Sequence, residues 1–261
     1  MTLGDALIIF VTGVFAGAVN AVAGGGTLLT FPVLLWLGRD PILANATNAL
    51  ALWPGSLAGA YALRREAYAA RAILRWLLPI GVLGSFIGGV LLLATPTRVF
   101  SGIVPFLVLG ATLLLAVQRP LKARLQMGAG DGSAAQAAEH SSAKRAMVLG
   151  FAQLLVSIYG GYFGAAAGIL MLAAYGLFGV TDIHQRNGIK NVLATVNNGV
   201  ASAYFVFQGA VDWRDALVLS VSAVIGGYVG GALSRRLSQR AVELIVITIG
   251  IAATLVLALR R

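Results

Sequence analysis

Eight long apolar stretches, separated by short charged or glycine- and proline-containing breaks, make up most of this chain. Only 11% of the 261 residues are charged, whereas a soluble domain carries about 25% charged residues. A soluble protein of this length would need far more polar side chains to cover its surface. We therefore predict an all-α polytopic membrane protein whose solvent is the lipid bilayer. The apolar stretches are residues 6–37, 42–63, 72–94, 99–117, 146–178, 189–207, 216–233 and 242–259.

The formal net charge of +10 lies in short basic clusters between the apolar stretches. Such clusters are typical of the cytoplasmic loops of membrane proteins, so we predict no nucleic-acid partner. The chain contains no cysteine, which excludes a disulfide, a thiolate metal site and a catalytic thiol. It also lacks a phosphate-binding GxxxxGK[ST] motif, and we predict no cofactor and no bound metal.

The second half of the chain repeats the first at one constant offset, which is the spacing between Gly84 and Gly226. We assign residues 1–117 to the first transmembrane repeat and residues 146–261 to the second. Residues 118–145 are polar and rich in Gly, Ser and Ala, which predicts a flexible cytoplasmic linker. Internal repeats of this kind are typical of transporters. Other pairs that match at this offset include Gly88 with Gly230, Asp40 with Asp182, and Asn45 with Asn187.

The first apolar stretch of each half is too long for one membrane crossing and is interrupted by glycine. Residues 6–37 number 32, against about 20 for a single spanning helix. The break in the first half is Gly24-Gly25-Gly26, and the break in the second lies between Gly160 and Gly168. Glycine costs about 1 kcal/mol in a helix interior, so each stretch is predicted to be a hairpin of two short helices.

The distribution of basic residues favours these hairpins. If each hairpin returns to its starting side, the 19 Lys and Arg divide 14 to 5 between the two sides, against 12 to 7 if it crosses once. Basic residues accumulate on the cytoplasmic side. We therefore predict an inner-membrane protein with a cytoplasmic linker, both termini outside, and two inverted-topology repeats. Each repeat is a Gly-broken helical hairpin plus three transmembrane helices, which gives about 8–10 membrane segments.

Two segments carry a family resemblance: residues 16–38, AGAVNAVAGGGTLLTFPVLLWLG, and residues 187–217, NGIKNVLATVNNGVASAYFVFQGAVDWRDAL. Together with the two-half layout, they resemble the sulfite exporter TauE/SafE family of membrane transporters. The second glycine run departs from the family pattern, because alanines replace glycines in Gly164-Ala165-Ala166-Ala167-Gly168. The resemblance implies transport of small sulfur-containing anions, such as sulfite or sulfonates like sulfoacetate, coupled to a gradient of a proton or sodium as coupling ion.

The hairpin tips are the first candidate for an anion site. The returning helices are predicted to begin near Thr27 and Ile169, and the N-terminus of a helix carries about half a positive charge that attracts anions. Gly24, Gly25 and Gly26 would let the backbone approach an oxyanion closely. The alternative interpretation is that these glycines only allow tight packing of helices.

Polar residues within apolar stretches are the second candidate, since polar groups at membrane depth are costly and often functional. Lys190 is the best placed to offer a positive charge, although it could also be a cytoplasmic anchor at a helix end. The asparagines could instead form hydrogen bonds that hold helices together. The predicted substrate-binding residues are Gly24, Gly25, Gly26, Thr27, Asn45, Asn48, Gly168, Asn187, Lys190 and Asn191.

These features predict a secondary transporter that works by alternating access around a central anion site. A membrane-embedded enzyme is disfavoured because the sequence has no HExxH cluster, no Gly-x-Ser-x-Gly motif and no cysteine. A passive anion channel or a non-transporting membrane assembly subunit remain alternatives. The sequence leaves open whether the protein forms a homodimer.

Overall fold

A computed structural model describes residues 2–22, 25–127, 142–177, 180, 182–233 and 239–259. These residues are helical with short connections and contain no strand. The prediction of an all-helical protein is confirmed. The helices are α1 (Leu3–Val22), α2 (Thr27–Trp36), α3 (Pro41–Ala62), α4 (Arg64–Ala69), α5 (Arg71–Ala94), α6 (Thr97–Met127), α7 (Ser142–Tyr162), α8 (Ala167–Leu177), α9 (Ile183–Phe207), α10 (Trp213–Leu233) and α11 (Gln239–Leu259).

Three of these helices are long and apolar enough to cross a membrane by length and composition alone, within the part of the chain that is described. They contain the segments Leu3–Asn20, Arg71–Ala94 and Thr97–Val117. Shorter apolar segments occur in α2, α7 and α11. α9 has a lower mean hydropathy because it carries the polar residues that the sequence singles out.

α1 and α2 form an antiparallel hairpin. At its tip, the backbone N–H of Gly26 donates to Oδ1 of Asn20 at 3.1 Å. At its open end, Nη2 of Arg39, just after α2, donates to Oδ2 of Asp5 in the first turn of α1 at 3.1 Å. The chain therefore returns to the face from which it started. α1 has 20 residues, so the first arm of the hairpin is longer than the short helix that was predicted.

α7 and α8 form a second hairpin. The hydroxyl of Tyr175 donates to Oε1 of Gln153 at 2.7 Å, although 22 residues separate them along the chain. The turn between the helices contains Gly164 at φ +76° and Ala166 at φ +60°. A left-handed conformation is costly for a residue with a Cβ atom. Alanine therefore adopts here a conformation that glycine would take without strain.

The helices of the two halves pack in exchanged pairs. α1 packs on α10 and α5 packs on α7, while α3 packs on α9 and α6 packs on α11. When α1, α3, α5 and α6 are matched in this order with α7, α9, α10 and α11, the pair α1–α10 corresponds to the pair α7–α5. The pairs α3–α9 and α6–α11 each correspond to themselves. Only α4 lacks a counterpart among the described helices, because residues 208–212 connect α9 directly to α10.

Glycines allow the exchanged helices to pack with their backbones in contact. A Cβ atom on Gly88 of α5 would lie 2.1 Å from the carbonyl oxygen of Ile158 in α7, and one on Gly226 of α10 would lie 1.9 Å from that of Val14 in α1. No Cβ atom fits at such distances. These small residues therefore join α5 to α7 and α10 to α1 within one chain.

The helices extend into the predicted linker from both sides. α6 ends at Met127, ten residues beyond position 117, and α7 begins at Ser142, four residues before position 146. Apart from Pro120, the added part of α6 consists of Leu, Lys, Ala, Arg, Gln and Met, which favour helix. Residues 128–141 of the predicted linker lie outside the described residues.

Candidate functional site

The tip of the first hairpin has most of its N-terminal amides occupied by the chain itself. Gly25 adopts φ +97°, and its carbonyl accepts from the N–H of Leu28 at 2.9 Å. The carbonyl of Gly26 accepts from Leu29 at 3.0 Å, and the Gly26 N–H is bonded to the side chain of Asn20. α2 begins at Thr27, as the sequence predicts, and Thr27 is half-buried. Gly24 lies outside the described residues.

Asn48 of α3 contacts the first turn of α2 through Thr30. The Thr30 hydroxyl lies within hydrogen-bond distance of Oδ1 of Asn48 and of the carbonyl oxygen of Gly26, at 3.2 Å. Thr30 and Asn48 are both buried. Sequence reasoning missed Thr30, although its position four residues after Gly26 places it on the same face of α2.

Lys190 of α9 lies against the start of α8 in the second hairpin. A Cβ atom added to Gly168 would lie 3.3 Å from Cδ of Lys190. The aliphatic part of the Lys190 side chain therefore crosses the first turn of α8, where glycine leaves room for it. Lys190 and Gly168 are both half-buried. Two residues selected separately from the sequence are thus in contact, at a helix N-terminus that carries partial positive charge.

Lys190 and Asn48 occupy equivalent positions in the two repeats. Gly168 is likewise the counterpart of Gly26. Each repeat therefore places an equivalent residue of its next long helix beside the start of its own returning helix. The chemistry differs between the repeats at this position, because the first has the neutral amide of Asn48 and the second has the cationic Lys190.

The two hairpin tips approach each other. The rings of Phe31 in α2 and Phe163 at the second tip meet edge to face, with centroids 5.2 Å apart. Nδ2 of Asn45 in α3 donates to the carbonyl of Tyr162, the last residue of α7, at 2.9 Å. The Asn45 amide is thus bonded to the second tip, while Asn48, one turn later, contacts the first. α3 consequently connects the two tips.

Asn187 and Asn191 lie one turn apart on α9, and Asn191 turns away from Gly168. Nδ2 of Asn191 donates to the carbonyl of Asn187 at 3.0 Å, and its Oδ1 would lie 3.1 Å from a Cβ atom on Gly59 in α3. Asn191 therefore faces α3, whereas its neighbour Lys190 faces α8. Asn187 is half-buried.

The crossing of α3 and α9 carries hydrogen bonds between residues outside the predicted substrate-binding set. Nε1 of Trp53 donates to the carbonyl of Thr195 at 3.0 Å, and the Thr195 hydroxyl donates to the carbonyl of Ser56 at 2.8 Å. Nδ2 of Asn198 donates to Oγ of Ser56 at 3.2 Å. The repeat offset could have identified them, because position 53 matches 195 and position 56 matches 198.

A buried polar network fixes the second hairpin to its surroundings. Gln153, which accepts from Tyr175, donates through Nε2 to Oγ of Ser157 at 2.8 Å. Ser157 is hydrogen-bonded to the side-chain amide of Asn197 at 3.1 Å. With that amide oriented to satisfy its neighbours, its nitrogen donates to the carbonyls of Gly81 and Leu193, each at 3.2 Å. α5, α7, α8 and α9 are thereby connected.

The first repeat has no equivalent of this network. Its positions that match Gln153, Ser157, Tyr175 and Asn197 hold Val11, Phe15, Val33 and Gly55. The two hairpins are therefore held in different ways. Within the described residues, no group of three or more His, Cys, Asp or Glu side chains is arranged to hold a metal ion.

Comparison of the sequence with known proteins identifies the family of this chain. The sequence model of the sulfite exporter TauE/SafE family matches residues 9–257. A probable membrane transporter protein of Haemophilus influenzae is 30% identical over 233 residues, which cover 87% of this chain and 84% of that protein. No solved structure matches the chain.

Further relatives cover nearly the whole chain. The probable membrane transporter protein YfcA of Escherichia coli is 24% identical over 245 residues, covering 93% of this chain and 85% of YfcA. A probable membrane transporter protein of Xylella fastidiosa is 27% identical over 265 residues, covering 96% of this chain and 95% of that protein. Since the family match extends from residue 9 to residue 257, this multi-pass membrane protein belongs to the sulfite exporter TauE/SafE family.

Proposed function

We propose that this protein is a secondary transporter of small anions, and that its substrates are sulfur-containing oxyanions such as sulfite and organic sulfonates. Membership of the sulfite exporter family supports this choice of substrate. The relatives from Haemophilus, Escherichia and Xylella carry the name of probable membrane transporter proteins, which supports transport rather than catalysis.

The observation that carries the proposal is the contact between Lys190 and Gly168. The start of α8 has a partial positive charge, and the Lys190 side chain lies across it within van der Waals distance of a Cβ atom on Gly168. A helix N-terminus attracts anions, and a lysine side chain does the same, so the start of α8 and Lys190 favour a negatively charged ligand at one place. A small oxyanion fits this arrangement better than a cation or a neutral solute.

The directions of the helices support alternating access between two inverted repeats. Gly13 and Gly17 of α1 lie beside Ser222 and Ala223 of α10 in the same order, so these helices run parallel. In contrast, Trp53 of α3 lies beside Gly199 of α9, and Gly59 lies beside Asn191. Later residues of α3 thus meet earlier residues of α9, so these helices run antiparallel.

This combination is expected if the two repeats are related by a two-fold axis within the membrane plane, as in several transporter families. We place the linker in the cytoplasm and both termini outside the inner membrane.

The test is anion flux into proteoliposomes that contain the purified protein alone. Sulfite and small sulfonates are supplied with and without a proton or sodium gradient, and uptake is measured for the parent protein, Lys190→Ala and Lys190→Arg. We expect Lys190→Ala to lower flux at least about tenfold and Lys190→Arg to retain more, because one charge–ligand hydrogen bond contributes about 1.5–3 kcal/mol. Arg75→Ala, which removes an exposed positive charge from α5, is the matched control and should keep parental flux.

Each alternative has its own result in this assay. A passive channel would give flux that does not saturate and shows no counterflow, whereas an assembly subunit would give no flux from the protein alone. Parental flux in Lys190→Ala would remove Lys190 from the site. Gradient-driven accumulation with only one of the two cations would identify the coupling ion.

A further inference from the structure

An ion cluster joins the open end of the first hairpin to α10. Nε of Arg39 lies 2.6 Å from Oδ2 of Asp215, and its Nη2 lies 3.2 Å from Oδ1 of the same carboxylate. Nη2 also lies 3.1 Å from Oδ2 of Asp5. We call these three residues the Arg39 cluster. Arg39 belongs to the α2–α3 connection, Asp5 to the start of α1 and Asp215 to the start of α10.

The geometry of the cluster is that of a strong, partly desolvated interaction. The Asp215 side chain is 1% exposed and that of Arg39 is 21% exposed. Paired bonds from one guanidinium to one carboxylate fix direction as well as distance. The hydrogen bond to Asp215 is the main cause that raises the pKa of the Arg39 guanidinium above its ordinary value, so Arg39 stays charged.

Removal of one partner would leave Asp215 buried without its counter-charge, which is far costlier than the loss of an exposed ion pair.

The cluster lies where the α2–α3 connection meets a rigid helix pair. α1 and α10 are in backbone contact, since a Cβ atom on Gly17 would lie 2.1 Å from the carbonyl oxygen of Ala223. Arg39 ties the α2–α3 connection to this pair, and further into α3 the Thr47 hydroxyl accepts from the backbone N–H of Asp212 at 3.0 Å. The α2–α3 connection is thus closed against α10 on the face where α1 begins.

The residues of the cluster are not repeated in the second half of the chain. At the repeat offset, the counterparts of Asp5, Arg39 and Asp215 are Met147, Thr181 and Ile73. None of these three is charged. The three positions that carry the Arg39 cluster in the first half therefore have no charged copies in the second half.

From this asymmetry we infer that the Arg39 cluster is a latch that closes the face on which α1 begins, and that its opening gives access to the interior from that face. The inference rests on the proposed function, because alternating access requires that each face open and close in turn. Because the latch holds this face shut, the protein favours the state in which this face is closed when no substrate is bound.

The test uses the absence of cysteine from the chain, so that any introduced thiol is the only one. Ala46 of α3 lies seven residues beyond Arg39, is 0% exposed and belongs to the same core cluster as Ala216 of α10. The reporter is Ala46→Cys, reacted with a small water-soluble maleimide in proteoliposomes. The control reporter is Ala111→Cys in α6, which is 1% exposed and lies on a helix that carries no residue of the cluster.

Each reporter is combined with Arg39→Ala and with Asp215→Asn, which keeps the shape of the side chain. We expect either change to speed labelling at position 46 by about tenfold or more, the effect of losing one well-formed charged pair, and to leave position 111 unlabelled. Arg39→Lys, which keeps the charge but loses the paired geometry, should give an intermediate rate.

Two results would overturn the latch. One is an unchanged labelling rate at position 46 in both cluster variants. The other is a parallel rise at position 111, which would mean that the cluster stabilises the whole fold instead of one face. Anion flux is measured on the same vesicles. If the parent protein carries no anion while labelling at position 46 still follows the cluster, the latch stands and the proposed transport function fails.

Discussion

Trp53 donates its indole N–H to the backbone carbonyl of Thr195 at 3.0 Å, and the two residues occupy the same position in the two repeats, 142 residues apart. If the two repeats are related by a two-fold axis, as proposed above, a residue contacts its own repeat equivalent only close to that axis. Ser56 and Asn198 repeat this relationship one turn away. The crossing of α3 and α9 therefore joins equivalent positions of the two halves of the sequence.

Trp53→Phe tests the importance of this crossing. Phenylalanine loses the hydrogen bond to Thr195 and also the indole atoms that lie against Gly199, whose added Cβ atom would lie 2.9 Å from Nε1 of Trp53. We expect a loss of at least about 1 kcal/mol in stability, the contribution of one intramolecular hydrogen bond, measured as a lower melting temperature in detergent. Trp76→Phe is the control, because Trp76 is exposed on α5 and should change stability by less than about 0.5 kcal/mol. Equal effects of both changes would refute a special role for the crossing.

The close packing of α5 on α7 predicts a large effect of one added methyl group. Gly88→Ala places a Cβ atom 2.1 Å from the carbonyl oxygen of Ile158, which forces the two backbones apart. We expect a destabilisation of about 1–3 kcal/mol, as for other overpacked sites. The measurement is thermal unfolding of the purified protein, followed by circular dichroism.

Gly110→Ala is the matched control for Gly88→Ala. Gly110 lies within α6, and no atom lies within 4 Å of its added Cβ. Since alanine favours helix over glycine by about 1 kcal/mol, this variant should be neutral or more stable. A similar loss of stability in both variants would contradict the packing argument.

The second hairpin tip carries a strained alanine that glycine should relieve. Ala166 has φ +60°, which costs an L-residue about 1–2 kcal/mol. Glycine removes that cost but loses roughly 0.5–1 kcal/mol through its greater freedom in the unfolded chain. We therefore expect Ala166→Gly to raise stability by up to about 1 kcal/mol in a thermal melt.

Ala167→Gly, one residue later, should have the opposite sign. Ala167 is the first residue of α8 and is buried, so glycine loses helix propensity and a packed methyl group, at a cost of about 1 kcal/mol or more. If both variants destabilise the protein equally, the left-handed conformation at Ala166 does not matter for stability.

The sequence predicts the two hairpins because glycine interrupts stretches that are otherwise too long for one crossing. It also places the start of α2 at Thr27 and selects Lys190 and Gly168, which the structure brings into contact. These features depend on local backbone preferences and on spacing along one helix. Such preferences can be evaluated without knowledge of the tertiary contacts.

Side-chain partners between distant helices could not be predicted in this way. Arg39 and Asp215 are 176 residues apart, and their pairing depends on how α2 and α10 are rotated within the fold. Asn45 and Asn191 were selected as polar residues, but their hydrogen bonds go to the backbone of Tyr162 and of Asn187. The pattern of residue types identifies which side chains need partners, whereas helix rotation decides which partners they find.

The network of the second hairpin predicts coupling between Tyr175 and Gln153. Both side chains are fully buried, and the Tyr175 hydroxyl donates to Oε1 of Gln153 at 2.7 Å. Tyr175→Phe leaves that oxygen without its donor, and Gln153→Leu leaves both the tyrosine hydroxyl and Ser157 without this partner. Each single change should therefore cost about 1–3 kcal/mol, the range for an unsatisfied buried polar group.

The double variant Tyr175→Phe/Gln153→Leu should be less destabilised than the sum of the single variants, by about 1 kcal/mol, because it removes donor and acceptor together. Thermal unfolding of the four proteins gives this coupling energy directly. Tyr204→Phe is the control, since the Tyr204 hydroxyl accepts only a 3.3 Å bond from the exposed Gln208 among the described residues, and its loss should cost less than about 0.5 kcal/mol. Strict additivity of the two single changes would show that the network does not act as a unit. A positive coupling would instead mean that α7 and α8 are held together by a polar bond that the first hairpin, with Val11 and Val33 at the matching positions, cannot form.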